Sequence, residues 1–568
     1  MVIEFIADFL GRIPAEQVVI FDIAFILIIS AVLAFIAKIL RQPLIPAYVI
    51  SGLVIGPLVL GLVGNIEVIK IFSEIGIAFL LFAAGLEISF KKIKEANMGK
   101  IILIGFFQVA IIFFLTLLAR RLLNLSMIQS VYIGIILAFS STMVVVKLFD
   151  DGEELVTMHG RLVLGILLFQ DLIAIIAIII FMSDSGFTFN PILTAFASLA
   201  GILIFAFLLQ RFVLNKLFRF AATSTELLLL SALGVLFLFI ILTCALELSI
   251  VIGAFIAGVS LANSPFKLEL ESRITPLRDF FAILFFVSLG MQIIFLGISW
   301  ILFIFLLIGA LILKPIIIFI LLRIGGYRER TSFVSAVSLA QLSEFSLIIG
   351  MLGLSLAIIN TGIFSTIILA TIITMGMTTY IINYKNSLYR IFKSPTSLLR
   401  FLPVRERAEY KILNEKSVLL VGCHRMGSIL MKSLWKKKDK VLVVDYNPEI
   451  INALIEKKVS CIYGEIGSPE ILEKIDLCKV KLVFSTIPNL EDNGFLLKNI
   501  KERNSKARVV LTANSIDDAL ELYELGADYI LLPKVLAGED LIKMLHSDLK
   551  KAKKKHISLL KKIHRILY

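Results

Sequence analysis

Gln170 and Asp171 lie side by side in one of the most apolar stretches of the chain, with Leu162–Phe169 before them and Leu172–Ile180 after. Flanks of that length put the carboxylate near the midplane of a hydrocarbon layer roughly 30 Å thick. An acid at that depth costs several kcal/mol, and such residues mark ion or proton paths. The bland alternative is a carboxyl kept protonated and hydrogen-bonded to a neighbouring helix. A second charge, Lys314, sits within Leu311-Ile312-Leu313-Lys314-Pro315, too far from a helix end to reach water by snorkelling. A buried ammonium needs a counter-ion, and Asp171 and Glu344 are the candidates at membrane depth.

The elements that hold these residues are set by composition. Of 568 residues, 59% are hydrophobic and only 17% charged, with mean hydropathy +0.97, values that place most of the chain in lipid. Residues 1–392 form long apolar runs and read as a transmembrane domain, 393–414 as a basic linker, 415–545 as a soluble α/β domain and 546–568 as a basic amphipathic tail. The net charge of +13 fits cytoplasmic loops and a tail near anionic membrane lipid, and no nucleic-acid motif accompanies it. Cys244, Cys423, Cys461 and Cys478 show no paired spacing, so a disulfide framework is not expected. For Cys423, a redox-sensing thiol and a small buried side chain are both open readings. The five histidines show no metal-ligand spacing.

Length and apolarity give about thirteen spans, near 17–39, 44–62, 67–89, 99–119, 127–147, 158–182, 191–214, 225–245, 247–263, 275–294, 298–323, 329–357 and 361–384. Lys38, Lys91, Lys92, Lys94, Arg211, Lys216, Arg219, Lys267, Arg273, Arg323 and Arg328 fall on one side, which is therefore cytoplasmic and holds the C-terminus. Arg120 and Arg121 are exceptions. The fifth span is interrupted at Ser140-Ser141-Thr142, and the twelfth carries Ser335, Ser338, Gln341, Ser343 and Glu344. Interrupted helices at corresponding places in two halves point to a transporter built on inverted repeats, here spans 1–6 and 8–13. Ordinary helices with hydroxyls bonded back to their own backbone are the alternative.

Beyond residue 415, strands at Val418–Val421, Val441–Val444, Cys461–Tyr463, Leu482–Ser485, Val509–Thr512 and Tyr529–Leu531 alternate with polar helical stretches. That is the pattern of a Rossmann-like parallel sheet. The first strand runs into Gly422-Cys423-His424-Arg425-Met426-Gly427, and Asp445 follows 18 residues after Gly427, where a ribose hydroxyl would sit. His424 replaces the middle glycine of the dinucleotide fingerprint, and could crowd a diphosphate or, as a cation, help hold one. A domain that binds nothing and serves only in dimerisation is the other reading.

Several segments together resemble the cation:proton antiporter-2 family. They are Arg41-Gln42-Pro43-Leu44, Gly52–Pro57, Leu81–Glu87, Ser140–Lys147, Phe169-Gln170-Asp171, Ser288–Met291 and Gln341–Phe345. The soluble part resembles the nucleotide-binding lobe of the regulator-of-potassium-conductance type, through Gly464–Pro469 and Ser485–Pro488 as well as the glycine turn. The combination looks most like the potassium-efflux branch. The resemblance implies a polytopic α-helical fold of thirteen helices with a dimerisation and a core domain, two broken helices crossing beside the acid, and a homodimer. It implies Asp171 as the shared cation and proton site, Gln170 beside it, Ser140–Thr142 and Gln341–Glu344 on the broken helices, and Lys314 as the core lysine. Gln170 resembles the potassium branch, where sodium-transporting relatives often carry Asp-Asp or Asn-Asp.

On this reading Asp171 holds a proton or a cation but not both, with half-helix carbonyls and the Gln170 oxygen supporting the cation. The expected activity is K⁺/H⁺ exchange, electroneutral if Asp171 alone titrates and electrogenic if Lys314 also gives up its proton, regulated by an adenine nucleotide, NAD(H) or AMP. Na⁺/H⁺ exchange is the alternative. A potassium channel would need a TVGYG-like filter, and a membrane-tethered dehydrogenase would need a substrate domain; the sequence contains neither.

Overall fold

The computed structural model describes residues 18–40, 42–63, 66–87, 98–151, 154–155, 157–181, 201–202, 204–222, 224–246, 250–262, 264–295, 297–396, 409–410, 416–464, 466–467 and 469–538. The chain divides into two compact units, one of residues 1–155 and 159–404, the other of 156–158 and 405–568. The expected tail 546–568 and most of the expected linker lie outside the described residues.

The first unit is helical. In chain order it runs α1 Val18–Ile39, α2 Leu44–Ile55, α3 Ile66–Glu87, α4 Met98–Ala119, α5 Met127–Ala138, α6 Thr142–Asp151 and α7 Met158–Phe181. It continues with α8 Asn215–Ala221, α9 Thr225–Ala245, α10 Ile250–Leu261 and α11 Lys267–Met291. Then come α12 Trp300–Ile308, α13 Lys314–Ile324, α14 Glu329–Ser338, α15 Glu344–Ser355, α16 Thr361–Asn383 and α17 Lys385–Thr396. Among the described residues, eight helices are long and apolar enough to cross a membrane, and shorter apolar helices occupy the second, third, seventh, ninth and twelfth expected spans. These helices keep large apolar side chains exposed, such as Ile20, Phe35, Phe114 and Trp300, which lipid rather than water covers.

The helices pack in two groups. In one, α11 lies against α2 and α3, α10 against α3 and α9, and α1 against α2. Glycines let these backbones touch: a methyl on Gly52 would fall 2.0 Å from the Val287 carbonyl oxygen, and one on Gly290 2.0 Å from that of Val49. Gly85 and Gly258 bring α3 and α10 together in the same way. In the other group α4 packs on α5 and α13, α13 on α14, and α15 on α5 and α16. There α7 lies against α4, where Gly105 faces Phe169 and Gly165 faces Ile101.

The tenth and eleventh spans both differ from expectation. The tenth span begins at Lys267 and runs through Pro276, because the loop before it continues the helix into the polar side. The eleventh is not a uniform α-helix, since Gly309–Leu313 form one wide π-helical turn immediately before Lys314.

The second unit is a seven-stranded sheet: β1 Glu409–Tyr410, β2 Val418–Val421, β3 Val441–Asp445, β4 Cys461–Tyr463, β5 Leu482–Ser485, β6 Arg508–Thr512 and β7 Tyr529–Leu531. The spatial order is β1-β4-β3-β2-β5-β6-β7, parallel except for β1, which pairs antiparallel at one edge. Leu419 and Val421 face one buried layer with Val483 and Val509, while Leu420 and Val443 face the other with Met431 and Ile451. Strands covered on both faces explain the continuous apolar runs. Strand order reverses between β2 and β5, and the crevice at their carboxyl ends is where such sheets hold ligands.

Candidate functional site

The fifth and twelfth spans are each two half-helices, α5/α6 and α14/α15, separated at Phe139–Ser141 and Leu339–Ser343. At each break the backbone loses helical partners at a depth where water cannot replace them. Side chains supply the replacements. Ser140 Oγ donates to the Leu339 carbonyl at 2.9 Å, Gln341 Nε2 to the Ser141 carbonyl at 3.0 Å, and Ser346 Oγ to the Ile136 carbonyl at 2.7 Å. From α16, Thr378 Oγ1 donates to the Ala340 carbonyl at 3.0 Å, and Thr374 Oγ1 accepts from the Leu342 N–H at 3.2 Å. The two breaks therefore meet and cross.

Lys314 joins them. Fully buried, its ammonium donates to the Phe139 carbonyl at 2.9 Å and to the Gln341 carbonyl, one from each break. This differs from the expected pairing with Asp171 or Glu344: the partners of the Lys314 amine among the described residues are a carbonyl from each break. The reason is local, since each break exposes carbonyls without N–H partners and an ammonium offers three donors.

Gln170 and Asp171 diverge around α7. Gln170 is fully buried; its Oε1 accepts from the Ser140 N–H at 3.0 Å and its Nε2 donates to Gln108 Oε1 at 2.6 Å. Gln108 Nε2 in turn donates to the Ala138 carbonyl at 2.9 Å. The oxygen expected to support a cation is thus engaged by the backbone. Asp171 is only half-buried, and its Oδ2 accepts from Thr142 Oγ1 at 2.8 Å. On the other side of the same stretch, the buried Glu344 carboxyl has the Ser141 hydroxyl and the Met143 N–H beside it. Among the described residues, Glu344 Oε2 and Gln341 Oε1 are buried acceptors with no hydrogen-bond partner. Ser343 caps α15 by accepting from the Phe345 N–H at 3.2 Å. The crossing thus gathers acceptor oxygens and two carboxyls around Ser141-Thr142-Met143, a chemistry suited to a desolvated cation or a proton.

At the end of this span, Glu154 accepts from Lys385 Nζ at 2.5 Å and pairs with His159 Nε2 at 2.8 Å. The His159 ring stacks edge-on to Phe149 at 5.6 Å. Burial works against ionised Glu154, but the hydrogen bond from His159 and the Lys385 charge outweigh it and hold its carboxyl below the usual range.

In the second unit, Gly422 has φ +79°, and a Cβ there would lie 2.5 Å from Thr486 Oγ1. Thr486 donates into the turn, with the Val421 and Gly422 carbonyls at 3.2 and 3.1 Å. A methyl on Gly427 would fall 2.0 Å from the Gly422 carbonyl, so both glycines are required by close approach. Asp445 ends β3 as expected, but its oxygens accept from the N–H groups of Cys423 at 2.6 Å and Asn447 at 2.7 Å. Burial pushes its carboxyl above the usual range against those bonds. His424 is exposed at the start of α18, Arg425–Ser433, and the Arg425 side chain lies outside the described residues. Burial, followed by the nearby Asp445, pushes the Cys423 thiol up to about 12, which keeps it protonated and favours the plain buried side chain over a reactive thiolate.

Residues 24–383 match the family described as sodium/hydrogen exchanger, transmembrane. The chain belongs to that exchanger family. Residues 418–533 match the TrkA-N domain, the nucleotide-binding lobe expected of the soluble unit. The glutathione-regulated potassium-efflux system protein KefC of Escherichia coli O81 (strain ED1a) is 29% identical over 494 residues, covering 85% of this chain and 77% of that protein. KefC of Shigella boydii serotype 18 (strain CDC 3083-94 / BS512) aligns with the same identity and coverage. The solved sodium proton antiporter MjNhaP1 of Methanocaldococcus jannaschii shares the fold at TM-score 0.51 with 18% identity, over 66% of this chain and 97% of that one. This exchanger is a multi-pass membrane protein with a cytoplasmic TrkA-N domain.

In the exchanger unit the structure brings Ser140, Ser141, Thr142, Gln170, Asp171, Lys314, Gln341, Ser343 and Glu344 into one cluster. Sequence reading missed Gln108, whose signal was a lone amide inside Phe106-Phe107-Gln108-Val109. It also missed Thr374 and Thr378, whose four-residue spacing puts both on one face of α16.

Proposed function

We propose that this chain exchanges K⁺ for H⁺ across the cell membrane one for one, with Asp171 as the shared site. The observation that carries this reading is the asymmetry of the pair: Asp171 is only partly buried against Thr142, while neutral Gln170 is wholly buried. One carboxylate of the pair then titrates, so one proton leaves for each cation bound. A cation on Asp171 competes with the proton, and proton arrival on one face of the membrane drives cation release there. Potassium is favoured by the relatives named as potassium-efflux systems. Sodium is the second reading, favoured by the family description and by the MjNhaP1 fold.

The TrkA-N domain regulates exchange by binding an adenine nucleotide, NAD(H) or AMP, at Gly422–Gly427 and Asp445. Binding gates transport only as far as the nucleotide distinguishes the two transport conformations. The chain works as a homodimer, is a transporter without catalytic turnover of the nucleotide, and divides at 1–392, 393–414, 415–545 and 546–568.

The test is exchange in proteoliposomes, read by a pH dye on adding K⁺ or Na⁺, with and without a clamped potential. Asp171→Asn is expected to abolish cation-driven proton movement. Retained flux in that variant, or flux that follows the clamped potential, overturns the site or the stoichiometry respectively. Nucleotide binding is read on the full-length protein as a thermal shift with NAD(H) or AMP; no shift with either removes the regulatory reading.

A further inference from the structure

Gln108 sits in the middle of α4, fully buried, without charge. Its amide nevertheless closes a directed chain of hydrogen bonds beside the acid. Gln108 donates to the Ala138 carbonyl, Gln170 donates to Gln108, and the Ser140 N–H donates to Gln170, over 2.9, 2.6 and 3.0 Å. Ala138 is the last residue of α5 and Ser140 lies inside the break, so this carbonyl and this N–H have both lost their helical partners. A bare peptide group in hydrocarbon costs several kcal/mol. Two amides in series accept at one end and donate at the other, which stands in for the missing peptide link.

We propose that Gln108 and Gln170 form one positioning clamp that sets the Ser140–Thr142 break against Asp171, and that Gln170 affects cation choice through this clamp. The proposal rests on the reading of Asp171 as the exchange site. Each oxygen of the pair already accepts one hydrogen bond and each nitrogen already donates one, and both side chains are fully buried, so the pair is held by the backbone of the break and by each other. Gln108 reaches neither Asp171 nor Thr142 by any hydrogen bond, yet it fixes the carbonyl end of the segment that carries Thr142. An ionised carboxylate at position 170 would lose the donor to Gln108. The need for an amide there thus follows from the backbone, apart from the identity of the ion.

The experiment uses the full-length protein in proteoliposomes and the variants Gln108→Leu, Gln170→Leu and the double variant. Half-saturating K⁺ and Na⁺ concentrations are measured separately from maximal rate. Each single variant is expected to raise half-saturating K⁺ about 3- to 10-fold, the worth of one hydrogen bond. The double variant should be no worse than the weaker single one, since residues of one network do not add. Both singles should move the K⁺/Na⁺ preference in the same direction. Should Gln108→Leu fail to reach the membrane, Gln108→Met, which keeps the length of the side chain without its amide, takes its place. A Gln170 variant that alters cation preference while the Gln108 variant leaves it unchanged overturns the clamp, as does full additivity. Asp171→Asn run in parallel separates the two readings: persistent flux there removes the exchange site, whatever the glutamine variants show.

Discussion

Thr142 Oγ1 donates to Asp171 Oδ2 across 2.8 Å, from the first residue of a half-helix to the middle of a continuous one. The bond orients the carboxylate and offers a hydroxyl oxygen beside it. Thr142→Val keeps the shape and removes both. Half-saturating cation is expected to rise about 3- to 10-fold with little loss of folded protein, and Thr142→Ser to stay near wild type. Transport kinetics in vesicles check this, and an unchanged Val variant would detach Thr142 from the site.

Lys314 satisfies one carbonyl from each break. Lys314→Met leaves the Phe139 and Gln341 carbonyls without that donor in a region lacking water. The expected loss is about 2 kcal/mol, since relief of the buried charge offsets part of the unmet hydrogen bonding. Thermal unfolding in detergent, read by size-exclusion fluorescence, should show the drop, with Lys314→Gln intermediate.

Gly52 and Gly290 allow α2 and α11 to touch backbone to backbone. Gly52→Ala or Gly290→Ala places a methyl 2.0 Å from a carbonyl oxygen and should cost about 3 kcal/mol or more, beyond the usual range for overpacking. Gly234→Ala, with nothing within 4 Å of the added methyl, should be neutral or stabilising by up to about 1 kcal/mol. The same thermal assay ranks the three.

Glu154 titrates below the ordinary carboxyl value of 4.5 because His159 and Lys385 favour its charged form. A depressed folded-state value means that its stabilisation is present above pH 4.5 and is lost as pH falls through the lower folded value. Glu154→Gln should therefore be less stable than wild type at neutral pH, and the gap should close on acidification below that value. A gap that persists unchanged at low pH would mean packing, and not charge, holds this corner.

The transmembrane architecture was legible because lipid demands long apolar helices, and even the breaks at Ser140–Thr142 and Gln341–Glu344 stood out as polar residues at the wrong depth. The six parallel strands were legible for the same kind of reason, as apolar runs between turn residues. What the sequence did not reveal was who pairs with whom. Lys314 suggested a carboxylate partner because charge pairing is a rule of composition, whereas its two carbonyls exist only once both helices are broken and crossed. Gln170 stood out because its neighbour is an acid, whereas its hydrogen-bond partners lie 62 positions away in Gln108 and 30 away at Ser140. The short antiparallel edge strand Glu409–Tyr410 has no periodicity to announce it.

The bonds that tie the two breaks together also decide what moves. A hinge must let go of its hydrogen bonds, and here release would strand carbonyls of Phe139, Ser141, Leu339 and Gln341 in oil. The crossing is therefore a rigid carriage. The glycine-sealed group of α2, α3, α10 and α11 is closely packed in the same way, and α16 meets α2 where the two groups adjoin. On the proposed function, carrying Asp171 from one face of the membrane to the other would then mean moving the whole crossing, and not bending one of its helices.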